Sequence, residues 1–235
     1  MLFFTKKKSL TESGTLAGYT DRHSHLLPGV DDGFKTADDS LAALEAMEEA
    51  GVADVWFTPH IMEDIPNTTS ELKERFADFK ASYKGKINLH LAAENMLDNL
   101  FAERFAADDL LTMEDNILLV ETSYFNPPIG LEATLDAIMR KGYRPLLAHP
   151  ERYKYMDTSD YERLHSRGIL FQLNLGALAG GYSPETQKKA KELLKRGWYH
   201  FSGTDIHSIR QIQAILSTPI PTSQLTAIKQ LPNHI

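Results

Sequence analysis

The sequence predicts an α/β protein built as a closed or nearly closed barrel of parallel strands, with an open doubly wound sheet as the alternative. Two observations lead there. A unit of amphipathic helix, glycine and short apolar run recurs along the chain, as in SLAALEAMEEAG-VADVWFTPH, ATLDAIMRKG-YRPLLAHPE, DYERLHSRG-ILFQLNLG and ETQKKAKELLKRG-WYHFSGTDIH. Such alternation implies right-handed βαβ units and a parallel sheet. The apolar runs are nearly continuous, as in strands buried on both faces, and no glycine-rich dinucleotide fingerprint accompanies them.

In chain order, residues 1–18 read as a flexible or loosely docked arm and residues 19–235 as one domain without an internal linker. Leu2, Phe3 and Phe4 beside Lys6, Lys7 and Lys8 could touch a membrane surface or rest on the chain's own domain. The apolar residues precede the lysines and no long apolar core follows, so this start does not read as a signal peptide. No apolar run is long enough to span a bilayer. Strands are expected around 18–24, 53–59, 86–93, 117–122, 144–149, 169–175 and 198–204. Between them, Leu41, Leu44 and Met47 share one helix face, and Leu72, Phe76, Phe79 and Tyr83 share another. Gly51, Gly142, Gly168 and Gly197 fall where a left-handed helix C-cap is expected. Ser183-Pro184 reads as an N-cap followed by the first helical residue.

Composition narrows the function. With 235 residues and 42% hydrophobic content, the chain can fill a sizeable core. A net charge of −7 argues against a dedicated nucleic-acid binder. It leaves room for anionic substrates, because bound metal ions reverse the local sign. The chain has no cysteine, which excludes disulfides, thiolate zinc sites and any cysteine-dependent phosphatase chemistry.

The polar residues collect at the C-terminal ends of the expected strands: Asp21, His23 and His25, then His60, Glu94, Glu121, His149 with Arg152, Asn174, and Asp205 with His207. In a parallel barrel these ends meet at one mouth, where such folds carry their chemistry. Residues i and i+2 of a strand share a side, so His23-x-His25 and Asp205-x-His207 can each present two ligands to an ion. Taken singly, His60 could be a hydrogen-bonded structural histidine, Asp31-Asp32-Gly33 a turn and Glu121 a solvated strand end. Seven such ends together point to a metal cluster. Mixed imidazole and carboxylate ligation suits manganese, iron or zinc, and so many ligands imply two or three ions. His90, His165, His200 and His234 are assigned structural places.

Six motifs, DRHSHLLPGVDDG, TPHIMED, AAEN, VETSY, AHPERY and GTDIH, occur in this order from about Tyr19 to Arg210. They resemble the PHP (polymerase and histidinol phosphatase) superfamily, and within it the bacterial tyrosine-protein phosphatases of capsular and exopolysaccharide synthesis. The resemblance implies a distorted (βα)7 PHP barrel with a three-metal centre. His23, His25, Glu94 and Asp205 would hold one ion. Glu94, Glu121 and His149 would hold a second. His60, His207 and either Asp31 or Asp32, with Asp32 preferred, would hold a third. Manganese is the first expectation. Arg152 would clamp the phosphate, Arg210 is the candidate for a second phosphate-binding arginine, and His207 and Asp32 are candidates for proton transfer.

Tyr124, Phe125, Tyr153 and Tyr155 could shape a slot for an aromatic ring, or pack over the barrel rim. Two departures from the family pattern stand out: Arg22 replaces an apolar residue, and Gly203-Thr204 replaces a serine before Asp205. By resemblance the substrate is a phosphotyrosine protein, a membrane-bound bacterial tyrosine autokinase, and the enzyme is cytoplasmic, with at most peripheral membrane contact. The rivals are a small-molecule phosphatase of the histidinol phosphate type, a phosphodiesterase, and a non-catalytic metal-binding scaffold.

Overall fold

The structure, a computed structural model, describes residues 6–232. Leu2, Phe3, Phe4 and His234 lie outside the described residues. Eleven strands are present among those described: β1 (Lys7–Lys8), β2 (Tyr19–Ser24), β3 (Val52–Phe57), β4 (His60–Ile61), β5 (Asn88–Leu91), β6 (Glu94–Met96), β7 (Ile117–Glu121), β8 (Arg144–Ala148), β9 (Leu170–Asn174), β10 (Phe201–Gly203) and β11 (Ile220–Pro221). All seven expected strands are there.

Nine of the strands make one curled parallel ring. One sheet runs β2-β3-β5 and another runs β10-β9-β8-β7-β6-β4. β3 continues into β4 across Thr58-Pro59, and β5 into β6 across Ala92-Ala93. Pro59 has no N–H to donate, so the ladder breaks there. The two halves are joined where Phe57 O accepts from Ala92 N at 2.9 Å and Pro59 O accepts from Glu94 N at 3.1 Å. The ring closes between β10 and β2: Asp205 N donates to His23 O at 2.7 Å, and His25 N donates to Ile206 O at 3.1 Å. The result is a distorted seven-membered barrel rather than an open doubly wound sheet.

Strand residues alternate between two apolar layers, as a period of two requires. Ile117, Leu119, Leu146, Ala148 and Phe201 form one cluster, inside the ring. Leu118, Val120 and Leu147 join the helix residues Leu44, Met47, Leu72, Leu135, Ile138 and Leu164 in the other. The helix faces read from sequence are therefore the packed ones. Gly51, Gly142, Gly168 and Gly197 all have positive φ, and Ser183 caps the helix Pro184–Arg196 with proline in its first turn. Arg22, the departure from the family pattern, is buried, lies 4.4 Å over the Phe201 ring and pairs with Glu114.

Residues 6–18 differ from the flexible or loosely docked arm that was expected. β1 pairs antiparallel with β11, and a capping box between Ser9 and Glu12 starts the short helix Leu10–Ser13. Leu10 and Leu16 are buried in the core. Apolar burial at both positions holds the segment down, so residue 18 is not a boundary of packing.

His200, assigned a structural place, accepts from Phe171 N at its Nδ1 (3.2 Å), which requires the neutral ring. Burial first, then His165 and Arg144, lower its pKa to about 4. That is below the unfolded value of about 6.5. Its stabilising contribution is therefore complete above about pH 6.5 and is lost as pH falls towards 4. Denaturant melts from pH 8 to 4 should show a shallower fall in stability for His200→Gln than for the parent chain; equal slopes would contradict the assignment.

Candidate metal centre

The strand ends deliver the predicted ligands to one place. His23 lies in β2 and His25 just past it; His60 opens β4, Glu94 opens β6, Glu121 closes β7, His149 follows β8, and Asp205 and His207 follow β10. Of these only His207 is not buried. The backbone is tight around them. A Cβ on Gly33 would meet His25 O at 2.3 Å, and one on Gly203 would meet His23 Cβ at 2.5 Å. Glycine lets the first loop and β10 approach β2 closely, which explains Gly203 at the second departure. His149 (φ 32°) and Asp205 (φ 51°) hold left-handed backbone conformations, of the strained kind that collects at functional sites.

Three sets of side chains could each hold an ion, with ligand atoms within 4.8 Å of one another: His23, Glu94, His149 and Asp205; His60, Glu94 and Glu121; and His25, Asp32, His60 and His207. Glu94 joins the first two sets and His60 the last two. The grouping differs from the one implied by resemblance. His149 Nε2 lies 3.0 Å from Glu94 Oε1 but 3.8 Å from Glu121 Oε2. His25 Nε2 lies 3.3 Å from both Glu94 and Asp205, so it stands between the first and third sets. Asp32 Oδ1 reaches His207 Nε2 at 3.4 Å and His60 Nε2 at 3.5 Å. Asp31 sits behind the ligands instead: its carboxylate meets His25 Nδ1 at 2.8 Å and accepts from Gly33 N and His60 N. Such a partner fixes the orientation of a ligating imidazole.

The donor set calls for cations. Asp31, Asp32, Glu94, Glu121 and Asp205 bring five carboxylates together, and among the described residues Arg152 is the guanidinium that pairs with one of them. His60 Nδ1 lies 3.1 Å from Glu94 Oε2, yet both atoms are buried without a hydrogen-bond partner among the described residues, as is His149 Nδ1. Buried polar atoms are rarely left so. Burial disfavours the charged form of His23, but Glu94 and Asp205 outweigh it and raise its pKa to about 9. Against their own burial, Glu94 and Asp205 are held well below the usual carboxylate range by His23 and the neighbouring imidazoles. Carboxylates that strong in drawing positive charge, with imidazoles between them, fit divalent ions.

Arg152 stands at the edge of this cluster. Its Nη1 donates to Asp205 Oδ2 at 2.9 Å, and among the described residues Nε and Nη2 have no protein acceptor. Arg210 is exposed in the first turn of the helix Ile209–Ser217 and makes no hydrogen bond or ion pair among the described residues. Tyr153 cannot line a substrate slot. It is fully buried, its hydroxyl accepts from Thr122 N, and its ring stacks on Tyr155. Half-buried Tyr124 and exposed Phe125 remain at the rim.

Two contributors are missing from the sequence reading. Gln172 Oε1 accepts from His149 N at 3.2 Å and lies 3.0 Å from His23 Nδ1. Its signal is a polar residue two before Asn174 in an apolar strand, on the same face. Tyr182 reaches Asp205 and Asn174 from a glycine-flanked loop that no strand-end rule points to. Asp21, by contrast, accepts from Thr204 N and ties β2 to β10, with burial raising its pKa to about 6.

A curled parallel barrel with three linked histidine–carboxylate sets at the C-terminal ends of its strands defines a PHP-type fold with a candidate metal centre. The chain belongs to the capsular polysaccharide synthesis family CpsB/CapC, whose pattern matches residues 19–219. It is 27% identical over 199 residues to the tyrosine-protein phosphatase YwqE of Bacillus subtilis, covering 81% of this chain and 78% of that one. Its fold matches a chain among the crystal structures of YwqE from Bacillus subtilis and CpsB from Streptococcus pneumoniae, described as metal-dependent tyrosine phosphatases, with a TM-score of 0.76, 24% identity and 84% of each chain covered. The fold also matches histidinol phosphate phosphatase from Lactococcus lactis, solved with zinc, L-histidinol and phosphate, with a TM-score of 0.54, 18% identity and 93% and 95% covered.

An ion that binds only the folded centre must stabilise it. At about a thousand times its dissociation constant, one ion contributes ~4 kcal/mol. For a chain of this size that corresponds to roughly 8–16 °C in melting temperature. Chelator-stripped protein should gain such a shift on adding Mn²⁺; an unchanged melting temperature with Mn²⁺, Fe²⁺ and Zn²⁺ alike would contradict the metal centre.

Proposed function

We propose that the chain is a metal-dependent protein-tyrosine phosphatase that hydrolyses phosphotyrosine through a two- or three-ion centre, with manganese as the working metal. The single observation that carries the reading is Arg152: a guanidinium anchored on Asp205 at the edge of the ligand cluster, with Nε and Nη2 left for an incoming phosphoryl group. Family membership and the names of the relatives support the same reading.

Divalent ions in this centre would neutralise the phosphoryl oxygens and make a water nucleophilic near neutral pH. His23, His25, His60, Glu94, Glu121, His149, Asp205, His207 and Asp32 would hold them. The chain's own residues do the rest. Arg152 grips phosphoryl oxygens through its planar fork. Asp31 and Gln172 keep the imidazoles of His25 and His23 in place. Asp32 is held ionised, chiefly by its hydrogen bond with His207. A tyrosyl oxygen, with an intrinsic pKa of about 10, needs only modest help. The absence of cysteine fits a mechanism without a thiol nucleophile.

A polypeptide substrate is favoured over a small ester by the rim. The two large apolar side chains most exposed among the described residues, Phe125 (63%) and Ile129 (104%), both lie in the segment that follows Glu121. That surface suits residues flanking a phosphotyrosine. The substrate proposed is the phosphorylated tail of a bacterial tyrosine autokinase that drives capsule or exopolysaccharide synthesis, met on the cytoplasmic side. No helix among the described residues is long and apolar enough to cross a membrane. The scaffold alternative is disfavoured because every ligand type is present and grouped.

Mn²⁺-loaded protein should release phosphate from a phosphotyrosine peptide and leave phosphoserine peptide and histidinol phosphate nearly untouched. Arg152→Ala should lower kcat/KM by about 10²–10³, as expected for one lost transition-state donor, with metal content unchanged. Histidinol phosphate turned over far faster than phosphotyrosine would overturn the substrate assignment.

A further inference from the structure

We infer that Tyr124 and Tyr182 are positioning residues that hold the Arg152 guanidinium ready for phosphate. The inference rests on the phosphatase reading only through the role of Arg152 as the phosphate clamp. Arg152 Cζ lies 4.2 Å from the Tyr124 ring centroid and 4.6 Å from that of Tyr182. Both distances lie well inside cation–π range. The two tyrosines come from different places: Tyr124 from the segment after β7, Tyr182 from the loop before the helix Pro184–Arg196. Arg152 itself ends the 3-10 turn Pro150–Arg152.

Each tyrosine hydroxyl is tied to a carboxylate of the metal centre. Tyr182 Oη accepts from Asn174 Nδ2 at 3.0 Å and donates to Asp205 Oδ2 at 3.4 Å, the same oxygen that receives Arg152 Nη1. Tyr124 Oη donates to Glu121 Oε2 at 3.5 Å. The rings are thus fixed from the ligand side, and they fix the guanidinium in turn. An arginine side chain is long and rich in rotamers, so holding it still before phosphate arrives removes an ordering cost from binding. The arrangement also sets the relation between the clamp and the ions, since Asp205 and Glu121 serve both. Both rings are only partly buried, at the edge of the core they pack against.

The test is binding of inorganic phosphate, the product, to Mn²⁺-loaded protein by competitive inhibition of p-nitrophenyl phosphate hydrolysis and by calorimetry, with metal content measured for each variant. Tyr124→Leu and Tyr182→Leu should each weaken phosphate about tenfold, the scale of a desolvated cation–π contact, with metal content intact. Tyr124→Phe and Tyr182→Phe keep the ring and should recover most of the loss. In the Arg152→Ala background, either leucine substitution should change phosphate binding by less than twofold, because the rings act through Arg152. Full additivity in that background would overturn the inference, as would unchanged phosphate binding in the leucine variants. A leucine variant that fails to fold, by circular dichroism, shifts the decision to the phenylalanine variants and to Tyr182→Trp; loss of phosphate binding in all of them with rings retained would also overturn it. None of these readouts depends on phosphotyrosine being the natural substrate.

Discussion

Buried negative charge is the constraint around which this molecule is organised. Glu94, Glu121 and Asp205 are almost fully buried, Asp31 lies just behind them, and they surround the imidazoles of His23, His25, His60 and His149. Carboxylates removed from water are tolerable only with compensating positive charge. Arg152 supplies one such charge, and divalent ions are the natural source of the rest. The parallel ring makes the arrangement possible, because strands running in one direction all end on the same side. It also makes it costly, with His149 and Asp205 held in left-handed conformations at two of those ends.

The seam of the barrel and the metal centre are the same place. The ring closes through Asp205 N to His23 O and His25 N to Ile206 O, so the backbone that joins β10 to β2 is the backbone that carries three candidate ligands. Asp21 reinforces the seam from His23's own strand by accepting from Thr204. Gly203 lets the two segments approach. An ion held between His23 and Asp205 would therefore also hold the barrel shut, and the site and the fold share one stabilising interaction.

Much of this was legible in the sequence. Buried parallel strands leave long apolar runs, glycine C-caps punctuate the helices, and ligands recur at strand ends, so the seven strands and the ligand cluster could be read directly. The breaks in β3/β4 and β5/β6 were not read: Pro59 marks where β3 ends but not that β4 resumes at once, and Ala92-Ala93 carries no breaker. The docked segment before residue 18 carried a readable signal, the Ser9-x-x-Glu12 capping box, which the polar lysines around it obscure. Asp31 and Asp32 are adjacent, and only the loop geometry separates the supporting carboxylate from the one facing His60 and His207. Tyr153 shows the limit of proximity in sequence: one residue after Arg152, it turns into the core while Arg152 turns to the mouth. Tyr182, thirty residues away, meets Arg152 through tertiary packing alone.

The central claim is that the three linked sets of side chains form one multinuclear centre. The most direct measurement is anomalous diffraction from a crystal of the Mn²⁺-loaded protein, collected on both sides of the manganese edge. The expected result is two or three peaks within reach of Glu94 and His60, and of Asp205, Glu121 and Asp32. A single peak outside these sets, or none while the histidines keep their present contacts, would contradict it.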